Sequence, residues 1–338
     1  MRQMKFGVFD HMDASGAPLA EFYEQRLQLG EAYDRIGIHA YHVAEHHATP
    51  LGMSPSPSVF LSALAQRTQR LRFGPLVYTL GLYHPLRLAE EICMLDHLSG
   101  GRLQLGVGRG ISPFENRYYG TDPDKAQAMY LDAYAVIMKA FGRDVLTHDG
   151  EFYRFRDVPI QVHPLQRPHP PLWYGVGYVA AVDWCAQNDV NVVTNASPQG
   201  TREMTDRYRS EWAKAGRSGA LPLMGTTRHM VVAPTDAEAV AIARRAYQRW
   251  YASFMYLWHK HDAKPRFATY TADFDQLRAN GHAIAGSPAT VRDAIAEQCA
   301  AAGVNYLLCR FAFGDLTLAE SMRSVELFAR EVMPAFAE

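Results

Sequence analysis

The chain has 338 residues, of which 48% are hydrophobic and 20% charged, and its formal net charge is −1. So ordinary and nearly neutral a composition fits a globular protein with a large core and sets aside nucleic acid and anionic membrane as partners. Cys93, Cys185, Cys299 and Cys309 show no CxxC pairing, and there is no secretory h-region, membrane-length apolar run or lipidation signal, so a cytoplasmic protein with reduced, buried thiols is expected.

In chain order, KFGVFD (residues 5–10) reads as a short apolar strand. Leu19, Phe22, Tyr23, Leu27 and Ala32 then recur at helical spacing, with Gly37 as the stop. AYHVAE (40–45) predicts a second strand, PSVFLSALAQRT (57–68) a second helix and LRFGPLVYTL (71–80) a third strand. In HPLRLAEEICMLDHLSGG, Pro85 suits a first helical turn, Leu88, Ile92 and Leu95 share a face, and Gly100 and Gly101 end the helix. RLQLGVG (102–108) is a fourth strand, and residues 124–142 form a fourth helix.

The rhythm then breaks. VLTHDGEFYRFRDVPIQVHP (145–164) carries the turn signal Asp149-Gly150 and predicts an inserted hairpin. Alternation resumes with PLWYGVG (171–177), a helix over 179–187, NVVT (191–194), a helix from Arg202 to Lys214, the strand LPLMGTTRHMVVA (221–233) and a long helix over 236–258. Residues 259–285 read as irregular and polar. Ser287 and Pro288 then open a helix as N-cap and first residue, NYLLCRFAF (305–313) is an eighth strand, and a last helix runs from about Thr317 to Arg330. Strands separated by helices are parallel and covered on both faces. About eight such units, without repeat or linker, predict a (β/α)8 TIM barrel occupying residues 1–338 as one domain, ahead of an open doubly wound sheet.

Barrel sites lie at the carboxyl ends of the strands. There the second strand presents Glu45, His46 and His47, the fourth Gly106, Gly108, Arg109 and Gly110, the fifth Gly175 and Gly177, and the sixth Thr194 and Asn195. The histidines admit three readings: metal ligands, acid–base groups in a pocket, or a polar strand end. Neighbours on a strand face opposite ways and there is no HExxH, so no metal is assigned. LGVGRGISP fails the dinucleotide fingerprint, because Ile111 stands where the third glycine belongs. Its exposed N–H groups and Arg109 still suit a phosphate, against a plain tight turn with a surface arginine.

AEHHATPLG (44–52) together with HPLRLAEEICMLDHLSGGRLQLGVGRG (84–110) resembles the bacterial luciferase-like flavin-dependent monooxygenases, continuously from about Phe6 to Gly120 and more loosely through PLWYGVG and the segment 284–311. The resemblance implies a luciferase-like TIM barrel with a β-hairpin insertion and a lid-like insertion, the latter at about Trp258–Tyr270. It implies a two-component enzyme: reduced FMN is supplied by a separate NAD(P)H:flavin reductase, O2 adds at the flavin C4a position, and the resulting peroxide or hydroperoxide oxygenates a small organic substrate. It places the catalytic histidine at His46, the phosphate-binding arginine at Arg109 with the Ile111 backbone close by, a non-prolyl cis peptide against the flavin at Leu76-Val77, and a phosphate-binding segment at Gly177 and Tyr178. Glu45 either orients His46 or makes a structural ion pair, with His47 behind. A homodimer is expected, with the second and third helices as candidate interface.

Two departures matter. Gly108 stands where luciferases proper carry a reactive cysteine, so bioluminescence is not implied. Gly177, Tyr178, Val179, Ala180 and Ala181 replace their acidic and hydroxylated residues, leaving backbone N–H groups and Arg109 for the phosphate. Two other functions share the barrel: an F420-dependent oxidoreductase, which the AEHH form resembles less closely, and a non-catalytic flavin-binding barrel, which the histidine and arginine disfavour. Phe9, Met12, Tyr78, Tyr83 and Phe114 would line the mouth, suggesting an apolar substrate.

Overall fold

The computed structural model describes residues 4–217, 219–265 and 270–336. Strands and helices alternate: β1 (Lys5–Asp10), α1 (Leu19–Ile36), β2 (Ala40–Val43), α2 (Pro57–Arg67), β3 (Arg72–Pro75), β4 (Tyr78–Thr79), α3 (Pro85–Leu98), β5 (Leu105–Gly108), α4 (Pro113–Tyr118) and α5 (Ala126–Gly142). Then come β6 (Val145–Asp149), β7 (Arg154–Pro159), β8 (Leu172–Gly175), α6 (Val182–Gln187), β9 (Asn191–Thr194), α7 (Pro198–Lys214), β10 (Met224–Val232) and α8 (Asp236–Lys260). The chain ends with α9 (Phe274–Ala279), β11 (Ala283–Gly286), α10 (Pro288–Ala302), β12 (Tyr306–Arg310) and α11 (Leu318–Leu327).

The strands pair in parallel in the order β3-β2-β1-β12-β10-β9-β8-β5-β4. A bridge between Phe73 and Leu103 joins β3 to the approach of β5 and closes the sheet. The result is the expected (β/α)8 barrel, with β4 continuing the β3 stave and pairing with β5. Phe9, Leu76, Trp173, Val193, Tyr306 and Leu308 cluster as one buried group drawn from facing staves. Each such side chain contributes roughly 1.5–3 kcal/mol by burial. The larger core lies between the sheet and its helices, where Leu88, Ile92 and Leu95 of α3 are buried. All four cysteines are free and buried; burial pushes the thiols of Cys93, Cys185 and Cys299 up to about 12, so none is a ready nucleophile.

Several boundaries differ from the sequence expectation. The third strand breaks into β3 and β4 around Leu76 and Val77. The hairpin has a four-residue loop rather than a tight Asp149-Gly150 turn: Asp149 pairs with Arg154, and the Gly150 N–H donates to Tyr153 O. Asp132 of α5 docks that loop by accepting the N–H groups of Phe152 and Tyr153. The stretch 259–285 is more regular than its polarity suggests, since it holds α9 and β11, and β11 pairs with the far half of β10 through His229–Val232. Only four residues long, β11 offers too short an alternation to read from sequence. The short helix α4 was also unanticipated; its Ser112 cap accepts the Glu115 N–H. At the C-terminus, α11 stops at Leu327 and a wider π turn covers Phe328–Val332.

The start of α11 is fixed by a reciprocal cap: the Thr317 hydroxyl accepts from the Glu320 N–H, and Glu320 Oε2 accepts from the Thr317 N–H. Thr317→Ala is expected to cost about 1 kcal/mol, read as a lower urea midpoint with unchanged slope; an unmoved midpoint would remove the cap from the account of this helix.

Candidate active site

Strand β2 ends at Val43, so Glu45, His46 and His47 lie on irregular chain just past the strand, freed from strict alternation. All three side chains are buried. Glu45 Oε1 lies 2.8 Å from His47 Nε2, the Thr79 N–H donates to Glu45 Oε2 at 2.9 Å, and the Tyr83 hydroxyl bonds the same carboxylate. His47 Nδ1 lies 2.8 Å from the hydroxyl of Tyr119, which is 52% exposed. This chain of groups runs from the barrel rim to solvent. Glu45 thus holds His47 rather than orienting His46.

His46 has a carboxylate of its own. Its Nδ1 lies 3.1 Å from Glu115 Oε1 on α4, and the His11 ring stacks at 5.8 Å. Burial pulls the His46 pKa down, but the charge and hydrogen bond of Glu115, with help from Glu45, outweigh it and raise it above the ordinary imidazole value. Burial raises Glu45 despite the opposing pull of His47, Thr79 and Tyr83. The pairings are therefore Glu45 with His47 and Glu115 with His46. Among the described residues no group of three or more His, Cys, Asp or Glu side chains is arranged to hold a metal ion.

His46 and Glu115 border a cleft completed by Thr49, Leu51, Ile111, Ser112, Phe254, Leu257 and Trp258. One polar pair thus faces a largely apolar wall, as small-molecule sites commonly do. At the break between β3 and β4 the Leu76–Val77 peptide is cis, at the bond indicated by the resemblance. Strand β5 approaches this break so closely that only glycine fits. A Cβ on Gly106 would sit 2.1 Å from Pro75 O, and one on Gly108 would sit 2.6 Å from Val77 Cγ2. Those small residues were read from sequence as a phosphate turn; two of them serve backbone packing.

Arg109 follows directly. It is exposed and makes no ion pair with any described residue. Its charge acts on the phenol of Tyr174 near the end of β8, and Tyr178 is a further electrostatic neighbour of that phenol. Around Gly175 and Gly177 there is nothing within 4 Å of where a Cβ would stand, and Tyr178 is 67% exposed. The segment 109–111 therefore spans two places: Arg109 stands by the open turn, and Ile111 stands at the His46 cleft. Ile111, whose backbone the resemblance places close to Arg109, also lines the cleft beside the histidine.

Two residues of the expected mouth lining, Tyr78 and Met12, lie in the core instead. The Tyr78 hydroxyl lies 2.7 Å from Ser58 Oγ on α2, and its ring belongs to the core between sheet and helices. Met12 is fully buried, with its sulfur 3.4 Å from the Tyr41 hydroxyl. Phe114 stacks on His261 at 4.2 Å, and Tyr83 serves Glu45. Of the expected lid, Trp258 lines the cleft, His261 bonds Tyr118 at 2.6 Å, and residues 266–269 lie outside the described residues. Sequence reasoning missed Glu115, whose one local signal is the Ser-x-x-Glu pattern of residues 112–115. It also missed His11, Trp250 and Arg310, the last a lone arginine closing an apolar strand.

Comparison with known proteins identifies the family. The model of the luciferase-like monooxygenase family matches residues 4–306. The chain is 42% identical over 98% of its length to the uncharacterized protein y4wF of Sinorhizobium fredii, covering 97% of that protein. It is 29% identical to the oxygenase component of the flavin-dependent trigonelline monooxygenase of Acinetobacter baylyi, over 71% of this chain and 68% of that one. The solved structure of monooxygenase RslO1 from Streptomyces bottropensis superimposes with a TM-score of 0.88 at 25% identity, covering 99% of this chain and 100% of the other. The barrel, its strand-end histidines and these matches together place the chain in the luciferase-like monooxygenase family, as an oxidoreductase enzyme.

Proposed function

We propose that the chain is the oxygenase component of a two-component system, using reduced FMN from a separate NAD(P)H:flavin reductase and O2 to oxygenate a small organic substrate. The carrying observation is the span of segment 109–111, with a free guanidinium at one end and the His46–Glu115 pair at the other. The residues fit a flavin nucleotide. Arg109 lacks a partner among the described residues, and the glycine turn at 175–177 leaves room where side chains would stand. Arg109 with the backbone of Gly177 and Tyr178 would hold the phosphate, and Leu76 and Val77 would face the ring. Reduced FMN, when bound, supplies the electrons and the carbon that activates oxygen.

The chain's own residues supply position, dryness and a proton. His46, 9% exposed, holds a proton at Nε2 while Nδ1 is engaged by Glu115, a neutral-pH acid–base group shut off from bulk water. The name of the Acinetobacter relative, a flavin-dependent oxygenase component, supports both the cofactor and the separate reductase. Incubation with NADH, a flavin reductase, FMN and ¹⁸O2 tests the reading on a substrate panel. One labelled oxygen in the product is expected. Tight F420 binding without reduced-FMN binding would instead favour the deazaflavin alternative.

Glu115→Gln isolates the pair. With the carboxylate gone, only the weaker pull of Glu45 opposes burial and the His46 pKa falls. The kinetic limb assigned to His46 moves to lower pH, and kcat near neutrality drops on the order of tenfold as the protonated fraction shrinks. The linkage has a definite sign. Because the folded-state pKa is raised, the pair's contribution to stability is full below the unfolded value near 6.5 and is lost as pH rises through the folded value. The variant should therefore lose more stability at pH 6 than at pH 9. A pH profile identical to the parent's would dissociate Glu115 from His46.

Three further features belong to this reading. Val59, Met94 and Leu98, exposed apolar residues on the adjacent helices α2 and α3, favour a homodimer; light scattering showing only monomer would reject it. The lid-like insertion at about Trp258–Tyr270, of which 266–269 lie outside the described residues, is assigned a closing role, tested by whether reduced FMN slows its cleavage in limited proteolysis. Among the described residues no helix is long and apolar enough to cross a membrane; a cytoplasmic enzyme of one barrel domain is part of the proposal.

A further inference from the structure

Away from Arg109, strands β1, β9, β10 and β12 end in a second cluster. Its centre is Arg310, the last residue of β12, whose side chain is 1% exposed. No carboxylate among the described residues pairs with it. Its polar partners are neutral: the Tyr270 hydroxyl accepts at 2.9 Å, Asn195 Oδ1 accepts at 3.1 Å, and His229 Nδ1 lies at 3.4 Å. Three aromatic faces surround the guanidinium, those of Phe9 at 5.2 Å, Tyr270 at 5.6 Å and Trp250 at 5.8 Å.

Such a cation is costly to keep. A buried charge is ordinarily matched by an opposite one, and replacing it with an apolar residue of similar size is often neutral or stabilising. Cation–π contacts offset part of the cost but supply no counter-charge. Two donors are also left over. Among the described residues Arg310 Nε has no partner, and neither does His229 Nε2. Burial, and then the charge of Arg310, keep His229 neutral. With Nδ1 turned to the arginine, the proton of His229 sits on Nε2, where it meets no acceptor. The contrast with Arg26 is informative: that equally buried guanidinium lies 3.2 Å from the Asp10 carboxylate.

The cluster is within reach of both solvent and the His46 cleft. Asn195 is exposed. Trp250 Nε1 donates to His11 Nδ1 at 3.4 Å, and the His11 ring stacks on His46. Phe254, which stacks on Trp250 at 5.3 Å, also lines the cleft. One layer of rings separates the cation from the proposed reaction centre.

We propose that Arg310 is the anchor for a carboxylate on the organic substrate, so that this enzyme oxygenates an organic anion whose apolar portion extends toward His46. Carboxylate oxygens would take the free Nε–H of the guanidinium and complete the charge. The inference deepens the monooxygenase reading, on which the word substrate rests. The same delocalised oxyanion chemistry exists on the pyrimidine edge of a reduced flavin, and the test separates the two.

The full-length protein, free of flavin, is titrated calorimetrically with acetate and benzoate and with their neutral isosteres acetamide and benzamide. At least one carboxylate is expected to bind about tenfold or more tighter than its amide. Arg310→Met is expected to abolish that preference, and Arg310→Lys to retain part of it, because a point charge lacks the planar fork. Reduced-FMN affinity should stay within about twofold in both, a ratio far below the tenfold that marks a lost contact. The proposal is overturned if wild type binds neither carboxylate better than its amide, or if Arg310→Met keeps the preference. It is equally overturned if the variant loses reduced FMN while carboxylate binding is unchanged, since the guanidinium then serves the ring. Should the methionine variant fail to fold, the wild-type isostere comparison and the lysine variant still decide. Because binding is read without flavin, failure of ¹⁸O incorporation would reject the monooxygenase reading and leave this result standing.

Discussion

Replacing His46 with alanine is expected to lower kcat for coupled oxygenation by about 10²- to 10⁴-fold, the usual yield of a positioned general acid or base. The argument rests on what remains when the ring is removed. Glu115, itself buried, loses its partner 3.1 Å away, and no other imidazole takes its place. His11 is neutral, because burial and then the charge of Arg310 hold its pKa well down. His47 is committed to Glu45 and Tyr119. With no proton delivered at the right moment and water admitted to the cleft, oxygen consumption should continue while product fails, and hydrogen peroxide should accumulate in its place. His47→Ala is the control: it breaks the line from Glu45 to the surface but leaves the cleft intact, and its loss should be smaller. The measurement is product formed per O2 consumed. Near-parental coupling in the His46 variant would remove this residue from the mechanism.

The barrel was legible because its signals are repetitive. Strand-length apolar runs such as KFGVFD and NVVT alternate with helices punctuated by Pro85, Gly37 and the Ser287–Pro288 start, and each signal has a local cause that tertiary context did not override. Short β11 escaped because it exists by pairing with the overlong far half of β10, a non-local fact. The division of strand three escaped for a similar reason, since what meets it is the glycine face of β5.

The site was legible to a different depth. His46 and Arg109 were singled out through strand-end chemistry and family resemblance. Which carboxylate serves which histidine was not, because Glu115 reaches His46 from a helix 69 residues further on. Adjacent Glu45 looks like the natural partner in the sequence, yet the chain leaves strand geometry after Val43 and turns Glu45 toward His47 and the Thr79 N–H. Arg310 was passed over as an ordinary strand residue; its lack of a counter-ion among the described residues can be seen only when the neighbouring elements are in place.

Arg109→Met is expected to weaken reduced-FMN binding by roughly 10- to 100-fold, the equivalent of one charge-assisted contact of about 1.5–3 kcal/mol. The guanidinium is exposed and touches no described carboxylate, so its removal disturbs no ion pair and the melting temperature should not move. That separates a binding role from a folding role. If Arg109 grips the phosphate in ground state and transition state alike, kcat at saturating flavin should be nearly unchanged while the flavin concentration needed rises. Arg109→Lys should recover part of the affinity, since a point charge keeps attraction but loses the two-pronged fit to phosphate oxygens. Riboflavin, which has no phosphate, provides the complementary control. Wild type should bind it about as weakly as Arg109→Met binds FMN, and the variant should scarcely distinguish the two. Equal FMN affinity in parent and variant would leave the open turn at Gly175–Gly177 without its cation, and the phosphate would have to be sought elsewhere on the barrel rim.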